Sequence, residues 1–506
     1  MAVFIWLALG VMWLIAAVVW VGGGRQWPLA RLWWLAWLGA FVAWLLGLAA
    51  VPWRGATVWH GLAARGASWP AGVWRLDERT WPLALVGVTT VWVALLVEAA
   101  RGASRREDTA GWGGLLWMGG LAPLVALGAS PVALVMGWAL ADVTALLADV
   151  LRFRRPRHRE AAIWAFFWRA VTWPVALAAV LPAGGSGGLR PVWWLAVVMR
   201  LAVAAAVQPS FVAGDKPRWR LVLGLENLLA TLGAVTWAAK NISSPLTGGA
   251  LAAVALLALW GAWRWVGAIS PLRALASCGL ALGGLAVLAA GQGMERAALA
   301  WVFLALAVPV GLAWTPHRRK TLWPFLLAWV LPLGLWPFTP GSAALTLWRH
   351  PRTLWGGLAA AAWVMSVGAV AYQSKRLPLP ANQPSREGRA FCLLGMAVWA
   401  ATLWGGRLWP ALRPTGGMGT WAWGAGAAVM ALGALGMIIA TRVQRPPSRW
   451  RVLLARQTTS LGERLFWGTY RLIARLLNTF SLLLEGESGV LWALVLLVML
   501  AALLQQ

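Results

Sequence analysis

The chain has 506 residues, 61% of them hydrophobic and only 11% charged, with 43 Lys+Arg against 15 Asp+Glu. A soluble globular protein carries about 25% charged residues, so this composition excludes a water-soluble domain and places most of the chain in lipid. The formal net charge of +28 would point to nucleic acid in a soluble protein; here the basic residues fall between apolar runs, as membrane topology requires, and no nucleic-acid partner is implied.

The first apolar run, 2–22, holds no charge and is followed by no cleavage-site pattern, so it reads as a span and not as a removable leader. Runs follow at 28–52, 80–100, 111–128, 130–151, 160–182, 190–208, 219–239, 247–269, 272–291, 295–314, 320–338, 353–373, 389–411, 419–441 and 487–504. These make about sixteen spans of the length a helix needs to cross the hydrocarbon core. Long continuous apolar runs select helices over a barrel, because each backbone group in lipid must be satisfied within its own segment. The sequence therefore predicts an all-α, polytopic integral membrane protein.

Lysine and arginine concentrate in the odd-numbered connections, above all in Arg152–Arg159 and between 442 and 475. By the positive-inside rule the odd-numbered connections are cytoplasmic and both termini face the other side. The Arg152–Arg159 run reads as a topology anchor, with lipid-headgroup or partner docking as the alternative. The stretch 446–485 is too polar to span yet is periodic. Arg449, Arg456, Glu463, Arg464, Arg471 and Arg475 share one face, and Leu453, Leu454, Leu461, Leu465, Leu472 and Leu476 the other. It predicts an amphipathic helix lying on the interface before the last span. Pro174, Pro209, Pro309 and Pro332 fall within or at the edge of spans, where broken helices often line a watery path.

Cys278 and Cys392 stand isolated in apolar runs, and His60, His158, His317 and His350 all fall in connections. No disulfide framework and no metal or haem site is implied. No nucleotide, flavin or iron–sulfur motif is present, so no cofactor is expected, and any redox chemistry would belong to partner subunits.

Several short motifs occur in a fixed order. Arg75-Leu-Asp77 precedes the third span, Gly137-Trp138-Ala139 lies in the fifth and Arg169 in the sixth. Phe211 to Asn227 leads into the eighth, Arg273-Ala-Leu-Ala-Ser277 opens the tenth and Pro332-Leu-Gly-Leu-Trp-Pro-Phe338 closes the twelfth. In this order they resemble the antiporter-like subunits of respiratory complex I, related hydrogenases and multisubunit sodium/proton antiporters. The matching family motifs are R-x-D, G-W-E, T-R-V-G-D, the glycine-proline turn before helix eight, D-x-K-R-x-L-A-Y-S and P-L-x-G-F-x-S-K. The resemblance covers residues 75–340 and implies a translocation core there. Around it stand N-terminal spans over 1–74, C-terminal spans over 341–445, a lateral helix over 446–485 and a final span over 486–506.

The resemblance implies proton translocation along ionisable groups at membrane depth: a carboxylate in helix five paired with a lysine in helix seven, then a relay through helices eight and twelve. Such groups are costly in lipid and are kept mainly for function. This chain departs from that pattern. Ala139 replaces the helix-five glutamate, with Asp142 about one turn on. Arg200 stands near the helix-seven lysine, Glu226 at the helix-eight base, Leu272 at the signature lysine, and Thr339 or Pro340 at the helix-twelve lysine. Two readings stay open. Asp142, Asp149, Arg200 and Glu226 form a rearranged proton path with Glu226 as its titrating centre, or the chain is a paralogue that kept the scaffold and lost conduction. Arg169 and Arg273 read as helix-orienting charges, and Glu98 and Asp149, near segment ends, read more readily as interfacial than as catalytic.

The implied setting is a prokaryotic cell membrane. The implied partners are other membrane subunits of a hetero-oligomeric complex, the lipid bilayer, and protons or sodium ions. A membrane subunit of an inorganic-carbon uptake system fits the same resemblance. A polytopic glycosyltransferase-like enzyme is the alternative of another class. Its one candidate site, Asp77-Glu78, is flanked by Arg75 and Arg79 and reads as a solvated salt-bridge cluster.

Overall fold

A computed structural model describes residues 3–50, 57–60, 73–99, 107–152, 156–179, 190–206, 219–242, 245–268, 271–314, 331–335, 339–349, 354–376, 386–405, 427–428 and 431. The chain divides into two units, Met1–Met437 and Ile438–Gln506, and all described residues lie in the first. In chain order they form α1 (Val3–Gly24), α2 (Leu29–Ala49), β1 (Thr57–His60), β2 (Val73–Leu76), α3 (Thr80–Ala99), α4 (Glu107–Ala126), α5 (Pro131–Arg152), α6 (Pro156–Ala170) and α7 (Thr172–Ala178). There follow α8 (Arg190–Ala206), α9 (Trp219–Asn241), α10 (Gly248–Val266), α11 (Pro271–Gly291), α12 (Glu295–Trp314), a 3₁₀ helix over Pro340–Arg349, α13 (Leu354–Arg376) and α14 (Arg386–Gly405).

The predicted all-α membrane architecture is what the chain adopts. Among the described residues, five helices are long and apolar enough to cross a membrane, and six shorter apolar helices accompany them. The predicted fifteenth span, apart from 427–428 and 431, the amphipathic segment 446–485 and the last span lie outside the described residues.

Two spans differ from their sequence reading. The run at 160–182 divides into α6, ending at Ala170, and α7, starting at Thr172, by a lapse in the hydrogen-bond ladder alone: Val171 between them keeps helical angles, φ −58° and ψ −26°. Pro174 has no N–H to offer the Ala170 carbonyl and its ring crowds that oxygen, so the helix interrupts one turn before the proline. Of the run at 320–338 only 331–335 is described. There the chain turns at Leu335, whose φ is 57°, and resumes in the 3₁₀ helix. Gly341 lies so close to the Pro332 carbonyl that no side chain would fit.

Burial sorts the helices into inner and outer members. Thr80–Val97 and Ala274–Gly291 are buried almost throughout, whereas Phe4–Gly24 leaves much of its surface open. Thus α3 and α11 are central, with α9 packed between α4, α11 and α12, while α1, α2 and α10 turn Leu14, Trp34 and Leu256 outward, as lipid-facing helices do. Lipid gives helices no hydrophobic reason to associate, so close backbone approach carries much of the packing. At the α10–α11 crossing a Cβ on Gly261 would come 2.7 Å from the Ala281 backbone nitrogen.

Indole N–H groups supply much of the cross-helix hydrogen bonding. Trp13 donates to the Trp117 carbonyl, Trp33 to Leu95, Trp81 to Gly47, Trp363 to Leu333 and Trp399 to Ala307, at 2.8–3.3 Å. Each acceptor is a main-chain oxygen, the usual kind of partner for a buried indole N–H.

A β-hairpin, absent from the sequence reading, closes one end of the bundle. β1 and β2 pair antiparallel, Thr57 opposite Leu76. β2 is stitched in turn to the α4–α5 turn: Arg75 N–H donates to Leu127 O and Ala129 N–H to Val73 O, while Ser130 Oγ accepts from Val73 N–H. The same end carries Lys240 near Asp77, an Arg79–Glu295 ion pair, and a bond from Leu246 N–H to Gly291 O. Connections two, four, eight and ten thus meet on one side.

Candidate functional site

Asp142 and Arg200 are the only buried charged side chains among the described residues, 0% and 1% exposed. Asp142 lies in the middle of α5 and Arg200 in that of α8, and they meet as a two-pronged ion pair. Arg200 Nη1 donates to Asp142 Oδ2 at 2.7 Å and Nη2 to Oδ1 at 3.0 Å. This fork-to-fork geometry is the strongest pairing available to a carboxylate. Arg169, on the last turn of α6, brings Nε to 3.4 Å from Oδ1. Trp173, at the start of α7, donates its indole N–H to Oδ2 at 2.9 Å. The interruption between α6 and α7 therefore sits against Asp142, with one partner on each side of it.

Arg200 is held as firmly as its partner. Its Nε donates to Thr231 Oγ1 on α9 at 3.2 Å and Nη1 to Thr172 Oγ1 at 3.4 Å. Both hydroxyls in turn donate to carbonyls, Thr231 to Asn227 and Thr172 to Arg169. The guanidinium lies 4.7 Å from the ring centre of Trp138, an attraction worth ~2 kcal/mol when desolvated. Trp138 is fixed by its own N–H on the Ala230 carbonyl at 3.0 Å and stacks on Trp193, which meets Trp237. Trp237 donates to the Ala129 carbonyl, so an unbroken aromatic column runs from Arg200 to the hairpin end.

The structure brings together Asp142 and Arg200 from the sequence candidates, and joins Arg169 to them. Glu226 stands on α9 five residues before Thr231, Asp149 on α5, Glu98 on α3 and Arg273 on α11; their side chains are outside the described ones. The sequence reading missed Trp173, Thr172 and Thr231 as partners. Pro174 was the available signal for the first two, since a break in a span frees polar groups beside it.

Asp77 is a second charged centre, at the hairpin end. It caps α3: Oδ1 accepts from Arg79 N–H and Thr80 N–H, both at 3.0 Å. Arg75 and Lys240 stand 3.5 and 3.6 Å from Oδ2. Burial pushes this carboxyl up, but the Thr80 and Arg79 N–H bonds and the Lys240 and Arg75 charges together hold it below the usual carboxylate range. Among the described residues no group of three His, Cys, Asp or Glu could hold a metal ion.

Fold and site together define a polytopic helical membrane protein with an ion pair sealed in its bundle. The chain shares its fold with a chain of respiratory complex I from Thermus thermophilus, at 20% identity and a TM-score of 0.58 over 85% of this chain and 99% of that one. It is similar to a chain of the Mrp complex from Dietzia sp., at 14% identity and a TM-score of 0.68 over 99% of this chain and 62% of that one. A chain of the membrane-bound sulfane sulfur reductase, an archaeal respiratory membrane complex, matches at 14% identity and a TM-score of 0.59, over 96% of this chain and 99% of that one. No family model and no curated protein matches the sequence. The fold is the one that the motif resemblance implied.

Proposed function

We propose that the chain is an antiporter-like membrane subunit of a multi-subunit ion-translocating complex in a prokaryotic cell membrane. The observation that carries this is the Asp142–Arg200 pair. It joins the fifth and seventh spans at membrane depth, where subunits of the resembled family pair a carboxylate with a lysine. Intramembrane ionisable groups are functional by default, because lipid penalises them. The meeting of connections two, four, eight and ten at one end supports the odd-numbered connections as cytoplasmic and this end as the outer one. The likeness to chains of two respiratory complexes and of the Mrp complex supports other membrane subunits as partners. In this reading protons or sodium ions are the cargo, Glu226 on α9 is the titrating centre, and Asp142, Arg200 and Asp149 line the path.

The test is gentle extraction of the tagged chain from its native membrane, followed by reconstitution in liposomes. Other membrane subunits should co-purify, and the complex should move protons or sodium ions. Glu226→Gln should abolish that flux with assembly intact. A chain that purifies alone, or a complex that moves neither ion, overturns the reading.

A further inference from the structure

We propose that the Asp142 node is a fixed ion pair that exchanges no proton, so that ion traffic through this chain runs past Asp142 and not through it. The proposal rests on the reading above for there being traffic to route, but the argument is local. A carboxylate offers about four lone-pair positions; here three hydrogen-bond donors and a second guanidinium, held as an ion contact, face them. Oδ1 meets Arg200 Nη2 at 3.0 Å and Arg169 Nε at 3.4 Å. Oδ2 meets Arg200 Nη1 at 2.7 Å and Trp173 Nε1 at 2.9 Å. A proton placed on either oxygen would point at a donor and would need an acceptor that this ring does not hold.

The surrounding groups have equally fixed roles. A lysine can give up its proton and so alternate with a carboxylate; a guanidinium keeps its proton. Thr172 and Thr231 spend their hydroxyl hydrogens on the Arg169 and Asn227 carbonyls and turn only lone pairs toward Arg200. The indole N–H groups of Trp138 and Trp173 are spent too, on Ala230 O and Asp142. Every member of the network is either donor or acceptor toward its neighbour, and none can pass a proton on without the others turning over. Its charged members are Asp142, Arg200 and Arg169; the described groups facing it from α5 and α9 are Trp138 and Thr231, which do not titrate. The node therefore acts as a constant charge, felt by whatever titrates nearby.

Infrared spectroscopy of the full protein in lipid reads this directly through the carbonyl stretch of protonated carboxyl groups. Spectra are taken over about pH 5–9, where buried carboxyls titrate. Wild type and Asp142→Asn should show the same protonated-carboxyl bands. Arg200→Met, which uncovers both oxygens, should add a band that shifts when aspartate is labelled with carbon-13 at its carboxyl. The same labelling of wild type needs no substitution and guards against a misfolded variant: once Asp149→Asn has accounted for its own share, no label-sensitive band should remain at membrane depth. A label-sensitive band present in wild type and absent from Asp142→Asn overturns the fixed pair and leaves the subunit reading standing. Failure of other subunits to co-purify overturns that reading and leaves the spectral result untouched.

Discussion

Removing Arg200 tests whether the buried pair is energetically coupled or merely adjacent. In Arg200→Met the side-chain volume is roughly kept, but Asp142 loses the two donors of the guanidinium fork, at 2.7 and 3.0 Å. It retains Trp173 at 2.9 Å and the longer Arg169 contact at 3.4 Å. Breaking a buried ion pair by deleting one partner costs about 3–5 kcal/mol. The lost attraction to Trp138 is partly offset by methionine packing on the same ring, so about 4 kcal/mol is the expected loss. Asp142→Asn leaves two guanidinium groups facing an amide, and its cost should be of similar size, about 3 kcal/mol. The double variant leaves no unmatched carboxylate and should fall short of the sum by about 2 kcal/mol, within the range seen for directly bonded residues. Equilibrium unfolding by SDS in mixed micelles measures all four proteins of the cycle. Strict additivity would refute the coupling, and with it the claim that the node is one electrostatic unit.

Three further outcomes follow from the geometry. The Asp77 carboxyl lies below its usual range when folded, so its contribution is complete above the unfolded value of about 3.9 and is lost as pH falls through the folded value. The protection of amides in the first turn of α3, corrected for the intrinsic pH dependence of exchange, should therefore fall in acid, and Asp77→Asn, a competent but uncharged cap, should lack that acid limb; identical profiles would refute it. Gly261→Ala should cost about 1–3 kcal/mol, since the added methyl meets backbone and not a movable side chain. Gly10→Ala, with open space around it, should cost nothing, and equal melting losses for the two would count against the close α10–α11 crossing. Trp173→Phe removes a donor from a carboxylate and should cost about 1.5–3 kcal/mol, whereas Trp399→Phe removes one from a neutral carbonyl and should cost about 0.5–1.5 kcal/mol; the reverse order in detergent unfolding would refute the role given to Trp173.

How much of this was legible in the sequence depends on range. The helices were, because a span needs only its own apolar run. Asp142 and Arg200 stood out singly, as charges in segments where charge is expensive. Their pairing did not, because the residues are 58 apart and meet only through the packing of α5 on its neighbours. Trp173 was invisible among 43 tryptophans, since nothing local separates an indole that caps a carboxylate from one that packs. The hairpin was lost for a similar reason. Thr57–His60 and Val73–Leu76 are four-residue strands, too short to rise above the glycine-bearing connection between them. At Pro174 the cause was visible, and only its consequence, a lapse in the hydrogen-bond ladder beside Asp142, needed the structure.

The tryptophan-to-carbonyl bonds have a consequence for how such a chain can change over generations. A bond between two side chains ties two positions together, so that altering one obliges the other to follow. A bond from an indole to a main-chain oxygen ties only one, because every residue at the acceptor position supplies the same oxygen. Helices offer that oxygen at every step, so a tryptophan whose indole reaches a neighbouring backbone needs no matching side chain there. Contacts of this kind can be gained, dropped and relocated one substitution at a time. A bundle fastened in this way can keep its packing while the residues around its tryptophans change.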